Sequence, residues 1–158
     1  MEHPKAIGDR ATLAIIAALN AAGYGVLVPF GENARYDVAI DDGSRLWRVQ
    51  CKTGHLHEGA VRFRTCSSYA HHPNPRMLFR DYQGDVDAFA VHCVESGAVY
   101  LIPIEHLPNK YQASLRVEPS RNNQRRKIRP ASAYEIASAK IVVTAGLAAK
   151  PGGSAPSA

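Results

Sequence analysis

The first strong signal along the chain is the apolar run Ala11-Thr12-Leu13-Ala14-Ile15-Ile16-Ala17-Ala18-Leu19. It predicts a helix from about Asp9 to Ala22 that stops at Gly23, where glycine relieves left-handed strain. Tyr24 to Val28 predicts a strand, broken by Pro29 and Gly31. Arg35 to Ile40 alternates polar and apolar, Asp41-Asp42-Gly43-Ser44 supplies turn chemistry, and a second alternating run follows through Trp47 to Lys52. A strand points successive side chains to opposite faces, so Trp47, Val49 and Cys51 share an apolar face. Arg48, Gln50 and Lys52 share the other. Val61 to Cys66 predicts a short strand, whereas Ser67 to Arg80, with His71-His72-Pro73-Asn74-Pro75, predicts a loop. Val86 to Val94 and Ala98 to Ile104 predict a hairpin turning at Glu95-Ser96-Gly97, and Ala131 to Ala139 a short helix. From Ala145 the chain is Ala, Gly, Pro and Ser with one Lys, too poor in large apolar groups to fold. Residues 1–144 therefore form one expected domain and 145–158 a disordered tail. The order of elements indicates an α/β or α+β domain built on a mixed sheet.

Composition supports a folded domain, with 46% hydrophobic and 21% charged residues in 158. Charge adds a direction: 19 Lys+Arg against 14 Asp+Glu give +5. Arg116, Arg121, Arg125, Arg126, Lys127 and Arg129 cluster with Glu118 as the one acid between them. Such a segment attracts polyanions, nucleic acid above all, or is a solvated basic loop; charge alone leaves both open. Cys51, Cys66 and Cys93 are odd in number and sit in apolar, strand-like contexts, which predicts buried thiols and a reducing compartment. No apolar run reaches the roughly 18 residues of a membrane span, so no membrane partner is expected. Lys5 and Arg10 ahead of residues 11–19 imitate a secretory signal, but Asp9 before the run and Asn20 after it favour a core helix.

The polar face of the Lys52 strand is unusual because a structural strand has no need of it. If the hairpin pairs symmetrically about its turn, Asp37 lies across from Gln50, with Cβ atoms about 5 Å apart. A carboxylate, an amide oxygen and an ammonium then converge on one patch. Plainer roles remain open: Asp37 can pair with Arg35 or Arg48, Gln50 can bond a neighbouring strand, and Arg48 can hold a phosphate or pair with Asp37. Asp85 and Asp87 are read as caps or arginine partners. The seven histidines lack zinc-site spacing, and Tyr82, Tyr100, Tyr111 and Tyr134 are spaced for packing rather than for stacking bases.

These residues resemble the PD-(D/E)XK nuclease superfamily, and in particular its small branch of bacterial group I intron homing endonucleases. The likeness runs over about residues 6–138. It is carried by Gly8, by Pro29-Phe30-Gly31-Glu32-Asn33-Ala34-Arg35-Tyr36-Asp37 and by Arg48-Val49-Gln50-Cys51-Lys52-Thr53. Further pieces are Tyr82-Gln83-Gly84-Asp85-Val86-Asp87-Ala88-Phe89, Val99-Tyr100-Leu101-Ile102-Pro103 and Asn122-Asn123-Gln124-Arg125-Arg126-Lys127-Ile128-Arg129.

The resemblance implies metal-dependent hydrolysis of DNA phosphodiesters, leaving a 5′-phosphate, on a mixed sheet flanked by helices. It places Asp37 as the first metal-binding acid, Gln50 at the second-acid position, the Cys51 carbonyl as a third ligand and Lys52 as the signature lysine. Mg²⁺ prefers such oxygen ligands, with Mn²⁺ as a substitute. The expected partners are double-stranded DNA and further copies of the chain, as a homodimer or homotetramer, in the bacterial cytoplasm. Arg48, Arg125, Arg126, Lys127 and Arg129 are the expected DNA contacts. One departure stands out: the family's first-helix Glu is Thr12 here. Asp9, at i and i+3 from Thr12, either supplies that acid or caps the helix, and the cap is the role favoured. The alternative function is therefore a catalytically impaired DNA-binding relative of the nuclease fold.

Overall fold

The computed structural model describes residues 1–71, 74–122 and 128–136, and of 69–71 and 74–77 the backbone only. The tail 145–158 and residues 137–139 of the expected last helix lie outside the described residues. One long helix, α1 (Pro4–Ala21), leads into β1 (Gly25–Leu27), β2 (Val38–Asp41), β3 (Leu46–His57) and β4 (Ala60–Arg64). There follow β5 (Cys66–His71), β6 (Asn74–Asp81), β7 (Ala88–Cys93), β8 (Val99–Pro103) and β9 (Gln112–Arg116). A single 3₁₀ turn at Ala131–Ala133 stands where the second helix is expected.

The helix starts earlier than its apolar run suggests. Pro4 suits a first turn because its missing N–H has no helical partner to lose, and His3 Nδ1 accepts the Lys5 N–H at 3.3 Å. Asp9 therefore does not cap the helix; it stands exposed within it. Gly23, at φ 92°, ends the element as expected. Ala11, Ile15 and Leu19, at i, i+4 and i+8, are the buried stripe.

Seven strands form one mixed sheet, ordered β1-β2-β3-β4-β9, with β7 pairing β3 in parallel and β8 pairing β7. The β2–β3 turn holds the register firmly. Asp42 accepts the backbone N–H groups of Ser44 and Arg45 at 2.8 Å each and the Trp47 indole N–H at 2.8 Å. The pairing Val38↔Val49, Ala39↔Arg48 and Ile40↔Trp47 follows.

Alternation along β7 separates two cores. Ala88 and Ala90 join Ile15, Leu19, Val38, Ile40 and Val49 beneath α1. Phe89, Val91 and Cys93 pack on the opposite face with Val61, Phe63, Tyr82, Ile102 and Leu115. The three cysteines are buried and unpaired, as their contexts imply. Gly54 makes the close approach at the centre of the second core. A Cβ there would lie 2.7 Å from Val61 Cγ1 and 2.8 Å from Val91 Cγ1. Gly54→Ala should thus destabilise the fold by about 1–3 kcal/mol through overpacking, read as a lower urea midpoint at unchanged slope.

The loop expected at residues 67–80 fails as well: β5 and β6 pair antiparallel from Cys66↔Asp81 onward as a separate two-stranded ribbon. Pro75 fits there because both strands of a two-stranded ribbon are edges, and an edge strand tolerates a missing donor. β9 is unanticipated because Gln112-Ala113-Ser114-Leu115-Arg116 is short and half polar; its Ala113 and Leu115 nonetheless reach the core. Among the described residues no helix is long and apolar enough to cross a membrane.

Candidate active site

The site grows out of a gap along one edge of β3. On that edge β2 pairs with residues 46–49 and β4 with residues 55–57, leaving 50–54 without a neighbouring strand. The other edge is filled by β7 across residues 49–54. Asp37 stands one residue ahead of β2. Its N–H donates to Val49 O at 3.0 Å and its position continues the register opposite Gln50. Its carboxylate reaches into the gap, where Oδ2 accepts the Cys51 N–H at 2.9 Å. Backbone groups alternate edges along a strand. Those of Cys51 therefore point toward this gap, while the carbonyls of Arg48 and Gly54 serve the β7 side, accepting from Asp87 and Val94. The Asp37 carboxylate and the Cys51 carbonyl are hard oxygen donors, and the register sets the Gln50 amide opposite Asp37. That donor set suits Mg²⁺ or Mn²⁺ rather than a thiophilic ion.

Lys52 lies two residues along the same face as Gln50. Its ammonium donates to Cys66 O at 3.1 Å and to Tyr82 Oη at 3.3 Å, and stands 4.7 Å from the Tyr82 ring centroid. Burial lowers its proton affinity below the ordinary lysine value; Asp37 opposes that shift, while Arg35 and Arg64 add to it. Asp37 is pushed the other way. Burial raises its carboxyl above the usual range, although the Cys51 N–H and Lys52 both favour the ionised form. Opposed shifts on neighbouring acid and base are the electrostatic mark of a functional cleft.

The other expected site residues fare differently. Arg48 does not pair with Asp37. Its Nε and Nη2 bond Asp87 at 3.2 and 3.3 Å, and its Nη1 bonds Gly84 O at 3.1 Å. Asp85 and Asp87 are arginine partners, Asp85 of Arg35 and Arg80 and Asp87 of Arg45 and Arg48. Arg129 donates to His106 O at 2.7 Å. Arg125, Arg126 and Lys127 lie outside the described residues. Asp9 makes no hydrogen bond or ion pair among the described residues. Thr12, in the family's Glu position, is half-buried within hydrogen-bonding reach of the Cys51 thiol. It meets the strand of the site from the α1 side.

Three residues escaped sequence reasoning. Arg35 fans out to Asp85 Oδ2 (3.0 Å), Ser67 Oγ (3.0 Å) and Asp81 O (2.7 Å), with its guanidinium 4.3 Å from the Tyr82 centroid. Tyr82 is nearly buried, and its spacing gives no hint of a contact with a lysine 30 positions earlier. Arg64 is exposed at the end of β4; its side chain makes no hydrogen bond or ion pair among the described residues, yet its charge is felt at Lys52.

The curated proteins compared with the chain include no match. Among solved structures, a bacterial homing endonuclease, I-Ssp6803I, is similar over 86% of this chain and 90% of that one, with a TM-score of 0.68 and 23% identity. At that identity the likeness is one of fold. The PD-(D/E)XK endonuclease family matches residues 2–137, which takes in α1, the whole seven-stranded sheet and both members of the Asp37–Lys52 pair. The chain belongs to the PD-(D/E)XK endonuclease family.

Proposed function

We propose that the protein is a divalent-metal-dependent DNA endonuclease whose reacting phosphate sits in the β3 gap. The observation that carries this reading is the meeting there of the Asp37 carboxylate, the Cys51 backbone and a half-buried, held Lys52, with Gln50 at the register position opposite Asp37. Asp37, Gln50 and the Cys51 carbonyl would hold the ion. When bound, it polarises the phosphate and lowers the pKa of a coordinated water. Lys52 presents a fixed positive charge to phosphoryl oxygens as negative charge develops on them, and its remaining donor capacity orients the attacking water. Attack at phosphorus with loss of the 3′-oxygen leaves a 5′-phosphate. Arg64 is free to neutralise a neighbouring phosphate, and Arg125, Arg126 and Lys127, by their charge in the sequence, are the further residues proposed to meet the DNA backbone. One copy cuts one strand, so a double-strand break calls for a symmetric dimer or tetramer.

A second reading is favoured by Thr12. Without a first-helix carboxylate the site has one acid fewer, and the same surface would then serve a DNA-binding relative with impaired cleavage. Metal affinity separates the two through Gln50. Gln50→Glu restores a second carboxylate beside Asp37 and should tighten Mn²⁺ binding about tenfold, measured by loss of the free-ion paramagnetic resonance signal. An unchanged affinity would place the ion, if bound at all, away from Gln50, and would remove the support for the proposed ligand set.

A further inference from the structure

The Lys52 ammonium is not held by its own strand. It is held at the root of the β5–β6 ribbon, by Cys66 O at the first residue of β5 and by the hydroxyl of Tyr82, the residue after β6. Cys66 and Asp81 are the ribbon's first paired residues, so both strands meet at this point. Tyr82 is itself fixed from three sides. Its ring packs edge-on against Phe89, centroids 5.6 Å apart, its other neighbour Arg35 lies 4.3 Å from its centroid, and its hydroxyl is within hydrogen-bonding reach of Ser67. Arg35 in turn donates to Ser67 Oγ and to Asp81 O, one bond to each strand of the ribbon. A tyrosine doing nothing but filling the core has no reason to aim its hydroxyl at a half-buried ammonium. That ammonium, for its part, is held in place by the acceptors that meet it.

We infer that Tyr82 is a positioning residue for Lys52, fixing where the ammonium stands and thereby tying the lysine to the base of the ribbon. The cleavage half of this inference rests on the endonuclease reading; the positioning half does not. A phenolic oxygen that accepts from the ammonium restricts the rotamers of the side chain, so removing it loosens the end of Lys52.

Tyr82→Phe tests this, because it keeps the ring against Phe89 and Arg35 and deletes only the hydroxyl. Two readouts are needed: the order of the Lys52 Cε methylene by ¹³C NMR relaxation in the metal-free full chain, and the single-turnover rate of plasmid cleavage with Mg²⁺. The expected result is a Lys52 Cε order parameter lowered by about a third and a rate lowered about tenfold, with duplex affinity unchanged within twofold. Tyr134→Phe serves as control, because its hydroxyl bonds His106 instead (3.0 Å); both readouts should stay put. An unmoved Lys52 order parameter in Tyr82→Phe overturns the inference, as does an unmoved rate in a protein that cleaves. If wild type cuts no DNA while the order parameter still falls, Tyr82 keeps its positioning role and the endonuclease reading falls.

Discussion

Lys52→Ala is expected to slow DNA cleavage by about 10³-fold or more while leaving duplex affinity within about threefold. The asymmetry follows from where the side chain sits. Lys52 is half-buried in the β3 gap and held by Cys66 O and Tyr82 Oη, so it contributes little to the screened, long-range attraction that brings DNA to a basic surface. Its worth is confined to charge developing at one phosphate, in a site dry enough for that charge to count. Lys52→Arg should not rescue. A planar guanidinium cannot occupy the point where one ammonium bonds both a carbonyl and a phenol. Burial sets the sign of the pH dependence. Because it lowers the proton affinity of Lys52, the ammonium is complete at low and neutral pH. Activity that depends on it fades as pH rises through a value below that of an ordinary lysine.

Asp37→Asn is expected to weaken Mn²⁺ binding and to lower cleavage by about 10²–10³-fold at saturating DNA, because it removes the strongest anionic ligand from a set otherwise made of neutral oxygens. The amide can still accept the Cys51 N–H, so the local fold should survive and the melting temperature should hold. Here too the pH sign is fixed by burial. The Asp37 carboxyl is pushed above the usual carboxylate range, so the ionised ligand forms only above a correspondingly raised pH, and the acid limb of the metal-free site lies higher than for an exposed aspartate. A bound cation would draw that limb back down. Taken with Lys52, the unliganded site has both residues charged over a narrower window than their exposed counterparts would have. A rate that falls less than tenfold in Asp37→Asn, with Mn²⁺ affinity intact, would contradict the ligand role.

The sequence made the centre of this site legible because it rests on a period of two. Once the turn at Asp41-Asp42-Gly43-Ser44 is recognised, pairing across it puts Asp37 opposite Gln50, and the structure has that register. The roles of Asp85 and Asp87 as arginine partners were also readable, since acids flanking a strand start commonly find a cation. What the sequence could not reveal was what surrounds Lys52. Tyr82, Cys66 and Arg35 reach it only because residues 66–81 fold back as a ribbon, and Pro73 and Pro75 argued against strands there. Proline forbids a central strand but not an edge, and no local pattern says which a segment will become. The start of α1 was misplaced for a related reason. Asp9 is a good cap by type, but Pro4 suits a first turn and the single Gly8 between the two weakens the helix without stopping it, so it runs back to His3. Of the roles open to Arg48, pairing with Asp37 fails because Asp87, 39 residues on and just ahead of the parallel β7, takes the guanidinium instead.

The central claim is that the β3 gap hydrolyses DNA with a divalent ion. The measurement that tests it most directly is conversion of supercoiled plasmid by the wild-type chain with Mg²⁺, Mn²⁺ or EDTA, run beside Lys52→Ala at matched salt. The account predicts nicked or linear product with either ion, none with EDTA and none from the variant. Product that survives EDTA or Lys52→Ala would place the cutting elsewhere. Intact plasmid throughout, with duplex binding retained, would contradict the endonuclease and leave the DNA-binding relative that Thr12 foreshadows.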